Sequence, residues 1–146
     1  LMTMPVLVLL AFAGWTLLTL MGSVGIYRWS LILTGGASIA DWRADVPQGS
    51  DWYRRAMRAH LNCVENLPVY SAIVVALEAT GMRSPVIDDL AIAMLVARMA
   101  QTVVHIALPP TTMAASVRFA LFFGQIICMA YIAVTVAIVA LRGPMG

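Results

Sequence analysis

The sequence predicts an all-α integral membrane protein: a single domain, 1–146, built as a bundle of four transmembrane helices. Three observations carry this reading. The chain is 62% hydrophobic, with a mean hydropathy of +0.90 over 146 residues. That is more apolar surface than a soluble domain of this size can bury. The apolar residues fall into four runs, about 4–33, 51–80, 86–107 and 113–141, each near or above the roughly 20 residues that cross a bilayer. One long polar connection and two short ones join these runs, which is the pattern of an antiparallel bundle.

Composition also narrows function. All nine basic residues are arginines, and the net charge of +2 is small and dispersed. A nucleic-acid partner is therefore not expected. Cys63 and Cys128 both fall inside apolar runs, so neither a disulfide nor a metal site is expected. No positive charge precedes the first apolar run and no small-residue cleavage site follows it, so no cleavable leader is expected.

In the first span, Pro5 suits a helix start and Val6 through Ile26 supply the crossing length. Gly14, Gly22 and Gly25 are candidate points of close helix approach. Tyr27, Arg28 and Trp29 form an aromatic and basic collar of the kind found at a membrane interface, where Arg28 can snorkel to the headgroups. Residues 34–50 hold Gly35, Gly36, Pro47 and Gly49 and read as a loop. Asp41, Arg43 and Asp45 are expected there as solvated or locally paired charges.

The second span opens on Asp51, read as an N-cap. Its length of about 43 Å exceeds the hydrocarbon core, so Trp52, Tyr53, Arg54 and Arg55 reach into the headgroup zone as interfacial residues. Deeper come Arg58, Asn62 and Glu65, at i, i+4 and i+7 and hence on one helix face. A charge at the centre of a spanning helix costs roughly 2.5–3.5 kcal/mol on insertion scales. Such groups turn to partners. They either neutralise one another or bind something charged and polar. Pro68 removes a backbone donor and predicts a kink just past Glu65.

The stretch Arg58-Ala59-His60-Leu61-Asn62-Cys63-Val64-Glu65-Asn66-Leu67-Pro68, early in the second of four apolar runs, resembles the hallmark of the MAPEG family. These are the membrane-associated proteins of eicosanoid and glutathione metabolism. The match in length and hydropathy covers nearly the whole chain, while residue-level likeness is confined to this motif and part of the third span. The resemblance implies a homotrimer with glutathione, as co-substrate, bound between helices of neighbouring subunits. It assigns ligand contacts to Arg58, Asn62 and Glu65, and places a basic residue such as Arg28 at the base of the cavity.

Gly81, Ser84 and Pro85 predict a tight turn into the third span, with Asp88 and Asp89 favoured by the dipole of its first turn. Arg98, Gln101 and His105 share a face of that span at i, i+3 and i+7. The family likeness turns Arg98 and Gln101 toward the cavity, and His105 stands where many active members carry a tyrosine that bonds the glutathione sulfur. Read without the likeness, His105 is a structural histidine near a helix end.

Residues 109–112 make a short turn, and the fourth span carries Ser116, Arg118 and Gln125 near its start. Active members often place an arginine followed by a serine here to activate the thiol. In this chain Ala115 precedes Ser116, and the arginine comes at Arg118, three positions after Ala115 and so on roughly the same face as that position. The catalytic candidates are thus Arg118, His105 and Ser116. Three functions follow. One is a glutathione transferase or peroxidase acting on lipophilic small molecules from the bilayer. The others are a non-catalytic lipid- or ligand-binding membrane protein and a structural subunit. Arg43, Arg54 and Arg55 outweigh Arg83 and Arg142, so loop 34–50 is expected in the cytoplasm and both termini outside it, in a bacterial inner membrane.

Overall fold

The computed structural model describes residues 1–38, 40 and 49–143, and the readings of Asp41, Arg43, Asp45 and Pro47 fall outside them. Four long helices make up the fold: α1 (Met4–Leu33), α2 (Asp51–Thr80), α3 (Pro85–Ala107) and α4 (Thr112–Arg142). Each is long and apolar enough to cross a membrane, yet only 22–28% of each apolar stretch is buried within the protomer. Residues such as Leu17, Leu18, Met21, Val96, Phe119 and Val134 lie exposed on the outside. Lipid tails rather than water suit such a surface, and the all-α integral membrane class is thereby established.

The helix ends follow from local chemistry. The N-cap of α2 is Ser50, whose Oγ accepts from the Tyr53 amide, so Asp51 is the first helical residue instead of the cap. Its shorter hydroxyl side chain reaches the orphan amides from the extended conformation that a cap requires. Thr111 caps α4 the same way, accepting from the Ala114 amide at 3.1 Å. Gly81 closes α2 at φ 66°, a left-handed conformation that a residue with a Cβ resists. Pro68 lies within α2, and the helix continues through it as one element.

Within α1, Leu20–Gly25 form a wide π turn. A Cβ on Gly25 would sit 3.1 Å from the Leu20 carbonyl oxygen, a tight contact that glycine avoids. Gly14 and Gly22 meet no neighbouring helix within the protomer. The hydroxyls of Thr16, Thr19 and Ser23 all donate back to carbonyls of their own helix, which lets α1 bury polar residues against its neighbours.

α2 and α3 pack on each other and on both remaining helices, while α1 and α4 flank them on opposite sides. The central core joins Phe12, Cys63, Tyr70, Met94 and Met129 from all four helices. Hydrocarbon solvent gives no hydrophobic drive to such packing, so interhelical hydrogen bonds and fit matter more. Tyr70 donates to the Pro5 carbonyl at 3.0 Å, Trp15 to Thr102 at 3.2 Å, and Gln125 to Gln101 at 2.8 Å.

Candidate functional site

The charged residues of α2 and Asn62 turn toward the outside of the protomer. Arg54, Arg58 and Glu65 are exposed, and Arg55 and Asn62 are half-buried. Glu65 is the fifteenth of thirty residues in α2, about 21 Å of helix from either end. Among the described residues neither Arg58 nor Glu65 has a hydrogen bond or ion pair. Mutual neutralisation is not realised, because seven residues of helix separate them by about 10 Å. Asn62 is engaged only by Asn66, whose Nδ2 donates to its backbone and side-chain oxygens at 2.8 and 3.2 Å.

At the end of the bundle where α2 and α4 begin and α3 finishes, a cleft of about 180 Å³ opens. Arg54, Arg55, Arg58, His105, Arg118 and Asp51 line it. Asp51 is already paired with Arg54 at 3.1 Å, and Arg55 Nε donates to the Ile106 carbonyl, which ties α2 to the end of α3. Arg118 has no partner among the described residues. Four guanidinium groups around one engaged carboxylate make a site for anions.

A second, more open groove of about 320 Å³ shares His105 and Arg118 with the cleft. It runs deeper past Asn62 and Gln101 and is walled by Ala115, Phe119 and Phe122. The two hollows together bring Arg58, Asn62, Gln101, His105 and Arg118 around one path, cationic at the mouth and aromatic along one side. Such a path can hold an anionic or zwitterionic molecule beside an apolar one.

The other sequence-chosen residues lie elsewhere. Arg98 is only 1% exposed and lies inside the protomer, its guanidinium 5.7 Å from the Phe12 ring centroid, with Nε and Nη2 lacking any acceptor. It shares a helix face with His105, as the spacing predicts, but seven residues put it about 10 Å deeper. Gln101 reaches the groove while its Oε1 accepts from Gln125 Nε2. Arg28 packs away from both hollows, where its Nε donates to the Tyr53 hydroxyl and its Nη2 contacts the Met57 sulfur. Tyr53 in turn stacks on Tyr27 with ring centroids 4.4 Å apart. Ser116 is exposed, lines neither hollow, and donates to the Thr112 carbonyl one turn back, as a helical serine without another acceptor does.

Arg54 and Arg55 are the residues that sequence reasoning passed over, as ordinary interfacial charges. A signal was available. They stand one turn before Arg58, which stands one turn before Asn62, so a single helical stripe carries them all. Gln125, fully buried at 0% exposure, was also undervalued; its glutamine partner one helix away was not legible from spacing.

Fold and site together define an integral membrane four-helix bundle with a polar, arginine-rich path opening at one end. The chain belongs to the MAPEG family, whose model matches residues 5–138. No curated protein and no solved structure matches the chain. The family includes glutathione-dependent transferases and peroxidases as well as members without catalytic activity.

Proposed function

We propose that this chain is a glutathione-dependent membrane enzyme, a transferase or peroxidase, acting on lipophilic electrophiles that arrive through the bilayer. The observation that supports this best is the unpartnered outward pair on α2. Arg58 and Glu65, with Asn62 between them, present a cation, an anion and an amide that nothing described within the protomer neutralises. Glutathione has the complement: two carboxylates for arginines, an α-ammonium for Glu65 and amides for Asn62.

A carboxylate at mid-helix facing lipid costs roughly 2.5–3.5 kcal/mol. A neighbouring subunit and a zwitterionic ligand together remove that cost. MAPEG proteins commonly trimerise, and we infer a homotrimer with the ligand between subunits.

In this reading Arg118 stabilises the thiolate and the thiol proton passes to water, while His105 lines the site beside it. The sulfur electron pair forms a C–S bond to the electrophilic carbon, and the leaving group departs with the electrons of the bond it breaks. With a hydroperoxide, two glutathione thiols supply two electrons and become one disulfide, giving an alcohol and water. A non-catalytic ligand-binding protein is the second reading. It is favoured by His105 in place of the family's tyrosine and by Ser116 turned onto its own helix.

The test is a glutathione titration of the detergent-solubilised protein and of Glu65→Gln. Loss of one charge-assisted hydrogen bond, roughly 1.5–3 kcal/mol, weakens affinity about ten- to a hundredfold. A normal melting temperature and an intact three-chain mass beside the lost affinity would assign Glu65 to the ligand, whereas loss of either would assign it to the subunit contact. Unchanged affinity in a folded Glu65→Gln protein would sink the glutathione site. Conjugation of a reactive aryl halide then separates the enzyme from the passive binder.

A further inference from the structure

We propose that two buried amides, Asn66 and Gln125, are positioning residues that set Asn62 and Gln101 as hydrogen-bond donors toward the groove. The stretch of ligand lying there is then one of carbonyl or carboxylate oxygens. This rests on the glutathione reading and deepens it, by stating which atoms of the bound molecule meet the amide wall.

Backbone carbonyls settle the direction of both buried amides. Gln125 is 0% exposed, and its Nε2 donates to the Leu121 carbonyl at 3.0 Å and to Gln101 Oε1 at 2.8 Å. A carbonyl oxygen accepts and never donates, so the group beside Leu121 is the amino end of the amide. The flipped amide would set oxygen against oxygen. The observed orientation therefore holds, although it leaves Gln125 Oε1 without a donor. With both N–H bonds of Gln125 Nε2 in use, Gln101 has to present its oxygen inward.

Asn66 repeats the device on α2. It is 9% exposed, and its Nδ2 donates to the Asn62 backbone carbonyl at 2.8 Å and to Asn62 Oδ1 at 3.2 Å. Again a backbone oxygen fixes the amino end, and the oxygen of the neighbouring amide is what it meets.

Asn62 and Gln101 both line the groove. With their oxygens taken by Asn66 and Gln125, Asn62 Nδ2 and Gln101 Nε2 are left to the groove, and neither donates to another described residue. Arg118 lines the same groove and can only donate as well. A ligand N–H or ammonium finds no acceptor in these three side chains, whereas a carbonyl or carboxylate is matched by all of them. A mismatched group there would leave buried donors unpaired, which is how a polar site discriminates. The α-ammonium of glutathione is thereby directed away from this wall to Glu65, and its peptide oxygens to Asn62 and Gln101.

The experiment is a double-mutant cycle on glutathione affinity, measured by calorimetry in detergent with melting temperatures alongside. Gln101→Leu should weaken binding about three- to tenfold, as loss of one neutral hydrogen bond does. Gln125→Met should weaken it by a smaller factor in the wild-type background and by nothing further in Gln101→Leu, because it acts through Gln101. Asn66→Leu should behave the same way against Asn62→Leu. A merely structural amide would give the same loss in both backgrounds. Should Gln125→Met not fold, Gln101→Glu still reads the sign of the wall. One carboxylate oxygen keeps the Gln125 bond and the other replaces the donor by an acceptor, so affinity should fall about tenfold or more.

Unchanged affinity in Gln101→Leu, additive losses in the cycle, or equal or tighter binding by Gln101→Glu would each overturn the proposal. Those results in a wild-type protein that binds glutathione remove the positioning role alone. A wild-type protein that binds no glutathione removes the glutathione reading, and this assignment with it.

Discussion

At one end of the bundle Glu78 accepts a hydrogen bond from Thr3 at 2.6 Å and another from Arg83 at 3.0 Å. At the other end Arg58 and Arg118 hold guanidinium groups in an open cleft with no acceptor among the described residues. Both ends carry charges near helix termini, where a membrane protein can place them cheaply. The first set closes on itself and pins the start of α1 to the end of α2. The other leaves its charges open, and Arg55, the one member tied to another helix, is held by backbone and not by a carboxylate. Charges that are satisfied locally serve the fold. Charges kept apart from counter-ions in a partly covered hollow are available to a ligand.

The largest expected effect that breaks this comparison comes from Arg118. Arg118→Leu should lower glutathione turnover by about 10²–10³, the usual loss when one preorganised charge-stabilising group is removed. The dissociation constant for glutathione should change far less. Arg142→Leu, at the satisfied end, should leave both unchanged. Equal losses for the two variants, measured as kcat and Kd on the same preparations, would erase the functional distinction between the ends.

Orientation comes next. The open end, with Arg54 and Arg55, outweighs the far end in basic charge and is predicted to face the cytoplasm, leaving both chain ends outside. A reporter that works only in the cytoplasm should stay dark when fused after Gly146. It should light up when inserted in loop 34–50. The reverse pattern would invert the chain in the membrane.

The smallest effect is at the closed end. Glu78→Gln should cost about 1 kcal/mol of stability, since the Arg83 pair is largely solvent-exposed and only the Thr3 bond is sheltered. A modest drop in melting temperature with unaltered glutathione affinity is the expected result. A large affinity loss would mean that the two ends communicate, and that the division drawn between them is wrong.

Much of the fold was legible in the residues themselves. Four apolar runs, Gly81 with Pro85, and the short turn before Thr112 are local signals. They act through bilayer thickness and backbone preference, which need no knowledge of the partner helix. Gly14 and Gly22 show the limit of that approach. Small residues permit close packing, but nothing in their spacing says which surface will pack there, and in the protomer none does. Ser50 shows it on a finer scale: serine and aspartate both cap well, and the choice fell to the residue whose backbone stood extended before the first turn.

For the candidate site, helical periodicity alone requires that Arg58, Asn62 and Glu65 share one face, and likewise Arg98, Gln101 and His105. Packing of the four helices then turned the α2 face out of the protomer. It turned the α3 face inward, up to the cleft at His105. The same packing buried Arg98 behind Phe12, joined Gln101 to Gln125, and drew Arg54, Arg55 and Arg118 around a common space. Periodicity fixes directions about one axis. Which neighbour lies in each direction, and how deep in the bundle, depends on how four axes pack, and no single helix encodes that.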